Sequence, residues 1–271
     1  MTDGHSIEEA ALRYVDRANQ GRLREAIDGF RELIVEAERE DDEANLALLW
    51  DCLGDSLARA RDFDGAVESY RESIALDRDP VGFAQSYRGL GIVYHLAGDV
   101  VRARDSFDEA LAALRQTEQP EADHERVVLF CGIGSMYEHH ADFTKAIDAY
   151  EKARAIAEKG GNERDLALCS RHLGSVHKEQ GDLDAAENYL RQAADLLDDI
   201  GDSASMERIT LHNLLGAVTE DRGDVASAIE SYRAAMDLAD RIDFPPGRME
   251  SLRRLGSAEA ARGQFQRASE S

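Results

Sequence analysis

Residues 84–114 read AQSYRGLGIVYHLAGDVVRARDSFDEALAAL, and this stretch decides the fold. Tyr87, Leu90, Gly91 and Tyr94 recur at three- and four-residue steps, and so do Ala103, Phe107, Ala110, Leu111 and Leu114. That is the period of a helix with one apolar face. Between the two runs stands Gly98-Asp99. Glycine adopts the left-handed conformation at a helix end at little cost, and aspartate caps the free amides of the helix that follows. The stretch therefore predicts a helix, a tight turn and a second helix. Gly91 and Ala103 are small, so the two helices approach closely, and a bulky residue there would overpack the contact.

The same frame returns along the chain. Gly54, Gly91, Gly134, Gly174, Gly216 and Gly256 each follow Leu or Ile, and each has an alanine twelve residues later: Ala66, Ala103, Ala146, Ala186, Ala228 and Ala268. An earlier copy has Tyr14 in the glycine place and keeps Ala26. Four residues after the alanine comes a large side chain: Phe30, Tyr70, Phe107, Tyr150, Leu190 and Tyr232. Spacings of 40, 37, 43, 40, 42 and 40 residues define one unit repeated seven times. The turn glycine recurs as Gly21, Gly181, Gly223 and Gly263, and the capping aspartate as Asp62, Asp142, Asp182 and Asp224. The units are expected at about 7–40, 43–78, 80–118, 122–160, 163–200, 203–242 and 246–271, the last incomplete. All four prolines (Pro80, Pro120, Pro245 and Pro246) fall between units. Asp79-Pro80 reads as an N-cap followed by proline at the first helical position. Ser6 with Glu9 reads as a capping box. No stretch alternates as a strand does, so the fold class is all-α.

Gly98-Asp99 between two helices, with Leu90-Gly91, Tyr94, Ala103 and Phe107 around it, resembles the tetratricopeptide repeat over residues from about 7 to 271. The unit of about 40 residues is similar to the longer repeats of kinesin light chains and G-protein regulatory scaffolds. The family's closing proline is replaced by Arg78, Arg115, Glu158, Asp198 and Asp240. The resemblance implies a right-handed superhelical solenoid of helix-turn-helix repeats whose inner wall is built from the first helices. After Ala268 only three residues follow. The expectation is a chain cut from a longer protein, or an open end that a partner or a second copy covers.

Composition narrows the function. The 271 residues carry 55 acids and 32 bases, a net charge of −23, with only four lysines among the bases. Hydrophobic residues at 43% allow a sizeable core. The acidity argues against nucleic acid, which needs a basic surface. No apolar run approaches the roughly 18 residues of a membrane span. Met1 to Glu9 is polar rather than a secretory signal, and Cys52, Cys131 and Cys169 form neither a disulfide framework nor a zinc spacing. Together these predict a cytoplasmic protein. Scarce lysine and abundant aspartate also resemble proteins of salt-loving microbes, where the charge keeps the outer face soluble.

Nothing in the chain reads as a catalytic signature, and no cofactor or metal is expected. Cys131 and His139 lie eight residues apart on one predicted helix. That is about 12 Å, too far for a nucleophile and its base. Cys131 is expected to be a small apolar residue of a half-buried wall, with a place facing His95 as the alternative. Gly132-Ile133-Gly134 falls inside a helix, so it is no phosphate loop. Glu138, His139 and His140 are adjacent and point to different faces.

The resemblance places groove contacts three residues before the repeat glycine and one, four and five after it. Three before stand Asp51, Arg88, Cys131, Arg171, Asn213 and Arg253, and one after come Asp55, Ile92, Ser135, Ser175, Ala217 and Ser257. Four and five after include His95 and Leu96, Glu138 and His139, Lys178 and Glu179, and Glu220 and Asp221. Asp51 and Asp55 contradict the family's clamp for chaperone tails. Arg88, Arg171, Lys178 and Arg253 would form a broken basic line suited to an acidic peptide or carboxylate. Alternatively they pair with Glu138, Glu179, Glu220 and Asp221 along the wall. The expected function is a non-enzymatic scaffold or adaptor that binds a peptide or partner helix. Two alternatives are the sensor region of a larger signalling or transcriptional regulator and a module that self-associates through its last repeat.

Overall fold

The computed structural model describes residues 4–115, 117 and 119–269, and leaves the side chains of residues 4–6, 44, 120, 202 and 264–269 undescribed. It contains thirteen α-helices among the described residues. They are α1 (Gly4–Asn19), α2 (Leu23–Glu40), α3 (Glu43–Arg59), α4 (Phe63–Leu76), α5 (Pro80–Leu96), α6 (Val100–Leu114), α7 (Pro120–His139), α8 (Phe143–Gly160), α9 (Glu163–Glu179), α10 (Leu183–Ile200), α11 (Ser205–Asp221), α12 (Val225–Arg241) and α13 (Pro245–Ser269). A 3₁₀ turn, Gly201–Ala204, precedes α11. The helices pack pairwise, as in a tetratricopeptide array. The chain divides into two compact units, Met1–Met136 and Tyr137–Ser271.

The pairing follows from the small residues. A Cβ added to Gly91 would stand 2.6 Å from the Phe107 ring, and one added to Gly216 would stand 2.5 Å from the Tyr232 ring. Phe107 and Tyr232 are fully buried and have no room to retreat. Ala103, Ala146, Ala186 and Ala228 are also fully buried. Gly256, on the last helix, has nothing within 4 Å of such a Cβ.

The turns repeat in detail. Gly98 N donates to His95 O (2.9 Å) and Asp99 N to Tyr94 O (2.8 Å), which closes the helix in a Schellman motif. Asp99 then accepts from Arg102 N and caps α6. The same bonds recur at 61–62, 141–142, 181–182 and 223–224. Gly98, Gly181 and Gly223 have φ of 84°, 80° and 88°; Arg61 and Ala141 occupy the same left-handed place with φ of 64° and 57°. Asp79 caps α5 through Gly82 N at 3.1 Å, with Pro80 at the first helical position.

Gly263 departs from the sequence expectation. It lies inside α13, which runs on to Ser269. It is followed by Gln264 instead of a capping aspartate, and no packed second helix follows it among the described residues. The capping box at Ser6 and Glu9 involves a side chain outside the described residues, and α1 already begins at Gly4.

Candidate functional site

The residues expected to line the wall lie on the first helices, and the structure gives most of them a neighbour of opposite or complementary character. In the first unit, the Arg88 guanidinium donates through Nε to Glu125 Oε1 at 2.6 Å. Their side chains are only 22% and 3% exposed. Arg88 is therefore committed to an internal ion pair and does not stand ready for a ligand carboxylate. Burial opposes its charge, but Glu125, Asp55 and Asp51 outweigh that and raise its pKa. Burial raises Glu125 in spite of Arg88.

Asp51 sits beside this pair on α3. Its Oδ1 accepts from Ser86 Oγ at 2.8 Å, and Ser73 Oγ lies 2.9 Å from Ser86 Oγ. Ser73 Oγ in turn donates to the Ala47 carbonyl at 2.8 Å. Burial, then the Asp55 charge, push the Asp51 carboxyl up to about 7, against the opposing pull of Ser86 and Arg88. The same burial and the two acids push the Cys52 thiol up to about 12, so it is no nucleophile near neutral pH. Ile92 is half-buried and Leu96 is 47% exposed, one turn apart on α5. His95 is half-buried between them. Cys131 is buried on α7.

In the second unit, Glu138 accepts from Tyr150 OH at 2.6 Å through Oε2 and from Ser175 Oγ at 2.9 Å through Oε1. His139 is exposed, with its ring edge-on to His140 at 5.9 Å. Arg171 Nη2 lies 2.9 Å from His172 Nε2, and the His172 ring stacks on Tyr150 at 4.9 Å. Burial, then Arg171, hold His172 well below its usual pKa and thus neutral. Lys178 bridges Glu179 at 3.3 Å and Asp221 at 3.2 Å. Asn213 Nδ2 donates to Ser251 Oγ at 3.0 Å. Glu220 accepts from Tyr232 OH at 2.8 Å. Arg253 pairs with Glu250 at 2.8 Å on the exposed side of α13.

The expected basic line is thus tied into local pairs at Arg88, Lys178 and Arg253. Lys178 pairs with two of the acids named for it, Glu179 and Asp221. Glu138 and Glu220 instead accept tyrosine hydroxyls. Sequence reasoning missed these tyrosine–carboxylate pairs, yet their signal is visible. The tyrosines Tyr150 and Tyr232 occur in the copies that carry Glu138 and Glu220 four residues after the glycine. Where Phe107 and Leu190 replace tyrosine, that place holds His95 and Lys178. Tyr70 uses Asp55, one residue after Gly54, at 2.5 Å. Among the described residues no helix is long and apolar enough to cross a membrane.

Comparison with known proteins agrees with this frame. Tetratricopeptide repeat models match residues 53–118 and 125–199, together just over half of the chain. No curated protein matches it. Among solved structures, it is similar to aspartyl phosphate phosphatase F of Bacillus subtilis (12% identity, 98% of this chain, 84% of that one, TM-score 0.65). A second is a signal transduction ATPase with a tetratricopeptide repeat sensor from Pyrococcus horikoshii (16% identity, 94% of this chain, TM-score 0.64), of which the match spans 40%. A third is a set of nearly identical TPR-like repeats from Podosopora anserina, assigned to a kinesin light chain (16% identity, 74% of this chain, 100% of that one, TM-score 0.52). At these identities the likeness shows the fold alone. The matched models and the helix pairs that continue on both sides of them lead to one conclusion: the chain belongs to the tetratricopeptide repeat family.

Proposed function

We propose that the chain is a non-enzymatic interaction module that receives an extended peptide or a partner helix on the wall formed by its first helices. Tetratricopeptide repeats are in general protein–protein interaction modules. The observation that carries the reading here is apolar surface left open on the first helices of the first unit. Leu48 on α3 and Leu96 on α5 are each 47% exposed, and Ile92 lies one turn before Leu96. Covering such surface is worth roughly 25 cal/mol per Å². A preformed helical frame loses little order on binding, so modest contacts suffice.

The test is capture from native cell extract with wild type and Leu96→Glu side by side, at two salt concentrations. Leu96 is exposed, so the variant keeps its fold, which circular dichroism checks. The reading expects the specifically bound proteins to disappear with Leu96→Glu. An unchanged bound set would refute it.

A second reading has its own observation. Met249 and Leu252 on α13 are 70% and 48% exposed. They favour self-association through the last helix, and sedimentation at rising concentration tests it. A constant monomer mass would remove this reading.

A further inference from the structure

A cavity of about 480 Å³ in the first unit is lined by residues from the start of α3, the end of α4 and the start of α5. Its volume falls in the roughly 300–1,000 Å³ range of small-ligand pockets. One part of its lining is apolar: Ala47, Leu48 and Leu76. The rest brings four carboxylates, of Glu43, Asp51, Asp77 and Asp79, against one base, Arg78.

The hydrogen bonds show why this charge stays uncancelled. Asp51 accepts from the Ser86 hydroxyl, Asp77 from the Asp79 amide at 2.8 Å, and Asp79 from the Gly82 amide at 3.1 Å and the Gln119 side-chain amide at 2.9 Å. All of these donors are neutral. They satisfy geometry and leave the negative charge in place. Arg78 spends Nη1 on the backbone carbonyls of Ala75 (3.1 Å) and Asp77 (3.2 Å). Arg88, the guanidinium nearest in the network, bonds to Glu125. An acidic pocket with an apolar wall fits a cation on an alkyl stem.

We infer that this cavity takes the side chain of a lysine or arginine from a bound partner peptide, with the stem along Ala47, Leu48 and Leu76 and the cationic head at Asp51, Asp77 and Asp79. The inference rests on the reading of the wall as a peptide-binding surface. It reverses the expected partner chemistry in this unit from acidic to basic. A peptide is favoured over a free cation because Asp51 occupies a wall position and exposed Leu48 continues the open apolar surface. Binding is expected to tighten from pH 6 to pH 8. Over that range Asp51 loses its proton; the groups facing it are Cys52 and Asp55 on its own helix, Tyr70 on α4, Ser86 and Arg88 on α5, and Glu125 on α7.

The experiment is a two-dimensional amide NMR titration of the full chain with two blocked pentapeptides, four alanines around a central arginine or around a central norleucine. The amides of Ser73, Gly82 and Gln85 report on the cavity. The arginine peptide is expected to shift them, with the norleucine peptide at least tenfold weaker. Asp51→Asn, which keeps the acceptor for Ser86 and thus the fold, is expected to weaken the arginine peptide at least fivefold. Equal response to both peptides, or wild-type affinity in Asp51→Asn, would overturn the inference. Spermidine binding as tightly as the arginine peptide would overturn the peptide as its source. Loss of captured proteins in Leu96→Glu together with no arginine response sinks only the cavity assignment; an unchanged capture sinks the reading beneath it.

Discussion

Tyr70 in the first unit and Tyr232 in the second do the same structural work in different electrostatic company. Each ring is buried against the repeat glycine, Gly54 or Gly216, and each hydroxyl donates to a carboxylate on the first helix. Glu220 stands four residues after its glycine and is half-buried. Asp55 stands one residue after Gly54, is exposed, and adds its charge to that of Asp51 one turn earlier. Around Lys178 in the second unit, a single base bridges two acids. Around Arg88 in the first, Glu125 takes the guanidinium and Asp51 is left with a hydroxyl. The repeat frame is thus neutral as to function; the wall's chemistry depends on which place in the frame carries the acid.

The largest expected effect tests the frame itself. Gly216→Val should cost about 3 kcal/mol, because its Cβ meets a fully buried ring that has no room to move. Gly256→Val, with open space around it, should cost well under 1 kcal/mol. Thermal or urea unfolding of the two variants checks the contrast, and equal losses would show that close approach is not what the glycine supplies.

Next comes Asp51→Asn, which should stabilise the protein by about 2 kcal/mol at pH 8. The sign follows from the raised pKa. Between about 4 and 7 the folded state holds a proton that the unfolded chain has released, so stability falls as pH rises through that window. The variant should flatten this slope in urea titrations at several pH values. A variant less stable at pH 8 than wild type would contradict the assignment.

Tyr232→Phe should cost about 1 kcal/mol, since half-buried Glu220 loses a donor that water replaces poorly. Tyr70→Phe should cost less, because exposed Asp55 is already solvated. Unfolding at pH 8 separates them, and the reverse order would mean that exposure does not set the value of the bond.

The smallest effect concerns the turns. Ala141→Gly should gain roughly 0.5–1 kcal/mol by relieving a left-handed alanine, and Gly223→Ala should lose about 1 kcal/mol at φ 88°. Opposite signs in melting temperature support the shared turn geometry.

Much of the fold was legible because it is local. The glycine, the alanine twelve residues on and the Gly-Asp turn lie within one helix pair, so spacing alone reveals them. Arg61 and Ala141 show the limit: the turn forms without its glycine because the flanking Asp62 and Asp142 caps and the packed second helix hold it. Gly263 shows the converse, a glycine without a following cap that stays helical. The wall was legible only as a set of positions. Arg88 and Glu125 are 37 residues apart, and Glu125 lies outside the four places per repeat that the family resemblance marks. Charge counting along one helix could not reveal that Arg88 is already taken. The tyrosine–carboxylate pairs were within reach, since tyrosine at one place accompanies glutamate at another in two copies.

The wall of the first unit carries half-buried negative charge at Asp51 that its own bases leave uncancelled. This is tested most directly by carbon-detected NMR titration of the Asp51 carboxyl between pH 3 and pH 9. A midpoint near 7, displaced downward when the arginine pentapeptide is present, is the result the structure predicts. A midpoint near the ordinary aspartate value of about 3.9, unmoved by the peptide, would contradict it.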